Sequence, residues 1–343
     1  MLTQDQITQT GRSIAKVQLS SGLIPWYEGG HIDPWNHIEA AIALSIANES
    51  ERAQKAFDAL VGLQNSDGSF CHYYLAKGVK EPNRDPNVIS YIALGLLALS
   101  SYIDGFEIER YFDSVQRAID YTLSVQRNDG GFPMIVTPEG RSHKKSLLAA
   151  SCSILVSLNA ANCLASQIDI EIPEWKQAEA DLEEYLTQSR ENLADKSDWA
   201  MDWYYPSFTS VTQNTSSVNF GSQHVLIGNY DSFIDSELGV RCISSRPWHT
   251  AAETSEAAIA FSLQGLDDIA RALLVTTGRF RGEDGSYSTG IIDPVGVSFP
   301  FGEVSTYSAA AVLIADSVIK TRHIGSFPGH FMQILTERGR TPC

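Results

Sequence analysis

The stretch QRAIDYTLSVQRNDGGF, Gln116 to Phe132, reads as a helix that ends on a glutamine, a polar turn, two glycines and an aromatic ring. It is not alone. KAFDALVGLQNSDGSF (Lys55 to Phe70) repeats it, RFRGEDGSY (Arg279 to Tyr287) repeats its ending with Arg281 in place of glutamine, and VQLSSGLIPW (Val17 to Trp26) is a degenerate copy. Each copy is followed by a loop and an apolar, alanine-rich helix, beginning near Asp33, Asp85, His249 and Phe301. Asp33 to Gln64 and Thr250 to Arg281 both span 31 positions, and Asp33 to Asp85 and Glu256 to Ser308 both span 52. Two matched intervals identify an internal repeat.

Helices such as AAIALSIA and AAAVLIAD are apolar nearly all round and must be buried on every side, whereas ESERAQKAFDALVGL and EWKQAEADLEEYLTQ carry one apolar stripe and one charged face. Inner and outer helices therefore alternate. Pairs stacked until the ring closes make an all-α, (α/α) toroid of five to six helix pairs in a single domain. The turns at Ser142 to Leu164 and from Ser217 onward are weakly marked, SFIDSELGVRCIS (Ser232 to Ser244) reads as a long inter-helix loop, and 1–12 and 325–343 read as flexible ends. Glycine tolerates the left-handed backbone that stops a helix, Asp and Asn satisfy free backbone groups in the turn, and the ring plugs the gap between pairs. The repeated ending thus reads as a structural staple.

That ending resembles the glutamine–aromatic repeat of squalene–hopene and oxidosqualene cyclases, with Phe132 where that family commonly has Trp. The resemblance implies the toroid of class II terpene cyclases and prenyltransferase β-subunits, and with it acid-initiated cyclisation of a small hydrophobic isoprenoid in an aromatic-lined cavity. The Asp-x-Asp-Asp acid motif of class II cyclases is absent, as is a clear match to the prenyltransferase zinc ligands.

The formal charge of −16, from 41 acidic and 25 basic residues, is the wrong sign for nucleic acid or an anionic membrane. Five scattered cysteines without metal-ligand spacing read as reduced and structural, hence cytoplasmic. No signal core or transmembrane run is legible, and the reading implies neither metal nor cofactor.

Parallel inner helices gather their N-termini, and the loops entering them, at one mouth. Those loops hold Trp26, Trp35, Trp199, Trp203 and Trp248, five of the six tryptophans, together with the carboxyls Asp33, Asp85, Asp202, Glu253 and Glu303. Rings and acids around a closed ring suggest a pocket. Asp33 and Asp85, each before a proline, suit helix N-caps as well as ligand contacts. Glu39 and Glu256 lie inside apolar helices, where they either pair with Arg84, Arg241, Arg246 or a buried histidine, or line the cavity. Glu253 sits three residues before Glu256 on one face, so that one of the two can hold a proton near neutrality. Asp202, between Met201 and Trp203, gives either a raised acid or a loop hydrogen bond. Asp202, Glu253 and Glu256 are accordingly the candidate catalytic acids. His37 and His249 read as core or capping histidines or as mouth residues, and Tyr204, Tyr205 and Tyr307 as pocket wall.

Three functions remain in competition. One is the terpene-cyclase-like enzyme, with cation stabilisation by Trp and Tyr faces. Another is a carbohydrate-active toroid, a glycoside hydrolase or polysaccharide lyase, with paired carboxyls between Trp platforms and a mouth made polar by Asn36, His37, Asn87 and Asn214. The third is a non-enzymatic toroid binding a lipid or peptide. The resemblance favours the first.

Overall fold

The computed structural model describes residues 1–188, 192–209 and 223–321. Asn214, Ser217, Cys343 and the expected flexible end 325–343 lie outside them. Helices α1 (Gln4–Val17), α2 (Pro34–Ile46), α3 (Ser50–Val61), α4 (Pro86–Tyr102), α5 (Glu109–Ser124), α6 (Leu148–Gln167) and α7 (Pro173–Gln188) fill the first half. Then come α8 (Ala200–Tyr204) with a 3-10 turn (Tyr205–Phe208), α9 (Gln223–Gly228), α10 (Tyr230–Phe233), α11 (Ala251–Leu263), α12 (Asp267–Thr276) and α13 (Thr306–Thr321).

Burial separates the two classes that the apolar pattern predicts. Ten of the 13 residues of α2 are buried, against seven of the 16 of α5, so α2 has neighbours on all sides and α5 keeps a face in water. The inner elements pack in the order α2, α4, α6, the 3-10 turn, α11, α13, and α13 packs back on α2. The ring is therefore a closed (α/α) toroid with six inner positions, the fourth held by α8 and its 3-10 turn. Outside, α3, α5, α7 and α12 cover α2, α4, α6 and α11, and α1 covers α13. Helix α6 is long and apolar enough to cross a membrane by length and composition, but 14 of its 20 residues are buried as an inner wall. Residues 1–12, expected as a flexible end, are mostly the start of α1, closed by a capping box at Thr3 and Gln6, with Ile7 and Thr10 buried.

The repeated ending does what a staple does. Gln64 Nε2 donates to Gly68 O (2.9 Å) in its own turn and to Ser114 O (2.8 Å) on α5. Gln126 Nε2 donates to Gly130 O (2.9 Å) and to Ala178 O (3.1 Å) on α7. The degenerate copy behaves alike, with Gln18 Nε2 reaching Gly22 O (2.9 Å) and Arg52 O (3.0 Å) on α3. Arg281 takes Gln9 of α1 through its guanidinium, which closes the belt. At Gly130, φ is +85° and a Cβ would stand 2.3 Å from Asp181 O, so the turn needs glycine both for its backbone and for the next outer helix. Phe70, Phe132 and Tyr287 are buried between the pairs.

A second belt encircles the mouth, made of backbone alone. Ile32 N donates to Tyr74 O (2.9 Å), Arg84 N to Val136 O (2.8 Å), Ser146 N to Asn192 O (2.9 Å), Ala200 N to Cys242 O (2.9 Å) and Thr306 N to Trp26 O (2.8 Å). Strand pairing between β5 (Trp248–Thr250) and β6 (Gly290–Ile292) supplies the remaining link. Each loop entering an inner element is thereby tied to the next one round the ring.

Two small sheets rise from this collar. One is the hairpin β1 (Tyr73–Leu75) and β2 (Gly78–Glu81). The other is an antiparallel meander of β3 (Ile234–Asp235), β4 (Gly239–Arg241), β5, β6 and β7 (Val297–Ser298). The meander corrects the reading of Ser232 to Ser244 as loop: Ile234 and Val240 pair across a turn and are buried, and β4 gains its other partner from β5 across the loop 242–247. Cys71, Cys152 and Cys242 form no disulfide, and Cys163 is disulfide-bonded, which corrects its reading as reduced.

Candidate active site

On the toroid axis the inner elements present side chains in two tiers. Glu39, Tyr91, Ser153, Tyr205 and Glu256 form the upper tier, nearer the helix N-termini. One turn further along the same elements come Ile42, Leu94, Val156, Phe208 and Ile259, joined by Ile314 of α13. The lower tier is an apolar plug around a cavity of about 80 Å³, and the upper tier is its polar lid.

Glu39 and Glu256 are buried, and their partners are aromatic. Glu39 Oε1 accepts from Trp35 Nε1 (3.0 Å) and Tyr91 Oη (2.9 Å), while Oε2 meets no donor. Glu256 Oε1 accepts from Tyr307 Oη (2.7 Å), and Oε2 accepts from Tyr204 Oη. Of the two sequence alternatives, the cavity lining is the one found: Arg84 goes to Ser69 and Asp67, and Arg241 to Asp235. Loss of water favours the neutral acid. Burial raises the Glu39 carboxyl to about 7. Burial, and then the neighbouring Glu39 charge, lift Glu256 well above the ordinary carboxyl range. Tyr204, Tyr205 and Tyr307 are likewise raised, by burial first and by Glu256 second, and Tyr204 and Tyr307 donate to Glu256.

Above this lid lies the mouth. Asp33 caps α2, with Oδ1 accepting from Asn36 N (2.8 Å) and Oδ2 from Asn36 Nδ2 (2.5 Å), and burial raises its carboxyl. Asp85 caps α4 through Asn87 N (2.9 Å) and is raised by burial to about 6. His31, His72 and Tyr73 stand beside them: Tyr73 stacks on His72 at 4.1 Å and meets His31 edge-on at 4.8 Å. Trp26 lies 5.5 Å from Tyr307, and Trp35 lies 5.4 Å from Tyr91, so each tryptophan leans on a tyrosine bonded to one of the two buried glutamates. Glu253, one turn before Glu256 in the first turn of α11, is partly exposed and accepts from Thr250 Oγ1. Glu303, also partly exposed, accepts from Thr289 Oγ1 (2.8 Å) and acts electrostatically on His31.

Several sequence candidates do other work. Asp202 Oδ1 accepts from Ala149 N (3.1 Å) and so caps α6 from a neighbouring element; burial raises it to about 6. His37 is a core residue, with Nδ1 accepting from Ile24 N (3.0 Å) and Nε2 at 2.8 Å from Ala56 O, and burial lowers it to about 4. Trp203 is buried, stacked on Phe233 at 4.9 Å. Trp248 lies in the meander, edge-on to Phe299. Sequence reasoning missed Tyr91, His31, His72 and Tyr73. For Tyr91 the signal was there: it is 52 positions from Glu39, its partner, as Tyr204 is 52 and Tyr307 is 51 from Glu256. The repeat interval carries one tier position onto the next. Among the described residues, no group of three or more His, Cys, Asp and Glu is placed to hold a metal ion.

No family model matches the chain. A curated protein does: the MMP endo-(1,4)-3-O-methyl-alpha-D-mannosidase of Mycolicibacterium hassiacum is 32% identical over 326 residues, 94% of this chain and 88% of that protein. The chain belongs to the family of this mannosidase. Solved structures agree on the fold. A glycosidase in complex with glucose superposes with a TM-score of 0.69 at 12% identity, over 92% of this chain and 96% of that one. A D-mannose isomerase gives 0.72 at 9% identity, over 92% and 97%. A sugar epimerase from a ruminal bacterium gives 0.66 at 8%, over 92% and 99%.

Membership of the mannosidase family overturns the terpene-cyclase and prenyltransferase resemblance, and with it the expected cyclisation of a small hydrophobic isoprenoid. The reason is physical. The glutamine–aromatic ending ties outer helices together and does not reach the axis, so it marks stacked helix pairs and says nothing of their contents. The chain is an enzyme of the carbohydrate-active kind, the second of the three readings.

Proposed function

We propose that the chain is an endo-acting glycoside hydrolase that cleaves α-(1,4)-linked mannoside chains, including 3-O-methylated ones. Kinship to the mannosidase along nearly its whole length supports the substrate class. The observation that carries the chemistry is the placement of carboxyls on two inner helices that do not touch each other in the ring order, α2 and α11, at the open end of the axis.

Glycosidic cleavage needs a protonated acid on the leaving oxygen and a second carboxylate on the other side of the sugar. Glu256, its carboxyl pushed well up by burial and then by the neighbouring Glu39, and aimed by Tyr204 and Tyr307, is the general acid. Asp33, whose two oxygens are held by Asn36, takes the second role from α2. Glu253, a turn above Glu256, receives a sugar hydroxyl, and Trp26 and Trp35 offer ring faces to the apolar face of a pyranose. Asp85, Glu303 and His31 complete a polar rim. Asp202 keeps its role as a helix cap.

The test is hydrolysis of α-(1,4)-mannoside oligosaccharides, methylated and plain, followed by mass spectrometry. Glu256→Gln and Asp33→Asn are expected to lower turnover by about 10²–10⁴, the usual contribution of an acid or base, with circular dichroism and melting preserved. A wild-type protein that cleaves no mannoside refutes the function. Active Glu256→Gln and Asp33→Asn enzymes refute the assignment of roles.

A further inference from the structure

The segment from β6 to α13 carries a feature that neither the core nor the candidate chemistry uses. Among the described residues, eleven large hydrophobic side chains are exposed, and five of them, Val295, Val297, Phe299, Phe301 and Val304, fall within ten positions. Phe301 is 90% exposed and Val295 71%. Exposed apolar residues scattered singly need no explanation, but a cluster of this density marks a binding surface.

The cluster is built on the mouth. Trp248 Nε1 donates to Phe299 O (3.0 Å), and the two rings meet edge-on at 5.5 Å. A Cβ on Gly290 would stand 2.3 Å from Trp248 Nε1, so the indole is seated directly on β6. Trp248 begins β5, which runs into α11 and Glu253. At its other end the cluster passes through Glu303, which acts on His31, to Thr306, whose amide donates to Trp26 O. The ridge thus continues the wall that holds Trp26, Glu253 and Asp33.

We infer that the ridge Val295–Val304 is an outer subsite that binds the O-methylated sugars of the substrate chain beyond the residue being cleaved. This rests on the mannoside reading above. Three points select that occupant. A methyl ether replaces a hydroxyl donor with an apolar group, which suits a ridge of Val and Phe whose only charged side chain between Val295 and Val304 is Glu303. An endo-acting enzyme needs contacts well beyond the cleaved residue. Ten residues of ridge are also too few for a second copy of the chain, since a stable protein interface takes about 20–30 residues a side.

The experiment measures binding by calorimetry in a Glu256→Gln background, with and without Phe301→Ser, using long 3-O-methylated and plain α-(1,4)-mannoside oligosaccharides. Phe301 is so exposed that its loss leaves the fold intact. The expected result is a dissociation constant for the methylated chain weakened by about tenfold or more, in line with methylene-scale contacts, and a smaller change for the plain chain. Equal effects on both chains, or none, overturn the inference and leave the hydrolase reading standing. Methylated-chain binding that depends on Phe301, in a protein whose wild type cleaves nothing, leaves the ridge standing and removes the hydrolase. Binding of neither chain overturns both. A wild-type dimer dispersed by Phe301→Ser, or sedimentation with neutral lipid vesicles lost in that variant, gives the ridge to another occupant and overturns the inference.

Discussion

Replacing Glu39 with glutamine should stabilise the protein, and only on the alkaline side. Glu39 holds its proton in the folded state up to about 7, against 4.5 for an ordinary Glu, because burial penalises the charge. Between those values the folded protein binds a proton that the unfolded chain has released, so stability falls as pH rises through the window and the loss is complete above about 7. At about 1.4 kcal/mol per pH unit the loss comes to about 3 kcal/mol. Glutamine keeps the acceptor for Trp35 Nε1 and Tyr91 Oη, keeps the shape, and does not ionise. It also lifts the charge that helps to raise Glu256. Urea unfolding of wild type and Glu39→Gln at about pH 4 and about pH 8 tests this. Near-equal stability is expected in acid, where wild-type Glu39 is neutral in both states, and a gain of up to about 3 kcal/mol for the variant in alkali. Parallel pH profiles, or a variant weaker at both ends, would refute the claim that an uncompensated carboxyl sits on the axis.

Gly130→Ala forces a Cβ toward Asp181 O at a φ of +85°, and should cost about 2–4 kcal/mol or more by thermal melting, with the specific activity of the folded fraction kept. Gln126→Ala strips donors from Gly130 O and Ala178 O and should cost about 1–3 kcal/mol in the same assay. Asp202→Asn keeps an acceptor for Ala149 N and should leave turnover within about twofold, while Asp202→Ala should lose about 1 kcal/mol of stability as a lost cap does; a dead Asp202→Asn enzyme with a wild-type melting curve would return Asp202 to the chemistry.

The toroid was legible because its demands recur. Every helix pair needs a stop, a tie to the next pair and a ring to fill the gap, so Gln18, Gln64 and Gln126 reappear with their glycines, and the 52-residue interval follows from pair size. The meander was not legible, since its strands are two or three residues long and β4 pairs with β5 across a turn that local patterning does not mark. At the site, sequence alone put Glu39, Glu256, Trp26, Trp35 and Tyr307 in one place, because each sits at or near an inner-helix N-terminus. It leaves Asp202 and His37 open between a role at the mouth and a capping or core role, because their partners, Ala149 N, Ile24 N and Ala56 O, are backbone groups that no side-chain pattern announces. His31, His72 and Tyr73 meet only because the loop before α2 and the hairpin before α4 are bonded at Ile32 and Tyr74.

The same contrast explains why the loudest motif misled about chemistry. A staple is needed at every joint and therefore repeats, whereas a proton donor is needed once, so repetition does not mark it. Round the upper tier the inner elements present Glu39, Tyr91, Ser153, Tyr205 and Glu256, with Tyr307 bonded to the last: equivalent places, filled by Glu, Tyr or Ser. The two belts make such variation tolerable. Outer helices are tied through Gln18, Gln64, Gln126 and Arg281, and the mouth loops through backbone pairs that any sequence can form, so neither belt depends on what lines the axis. A ring held in this way can exchange its tier without losing its shape, which accounts for glycosidase, isomerase and epimerase folds superposing on this chain at identities of 8–12%. It follows that a functional reading of any toroid should begin from the tier positions, one repeat interval apart, and give the staple no weight.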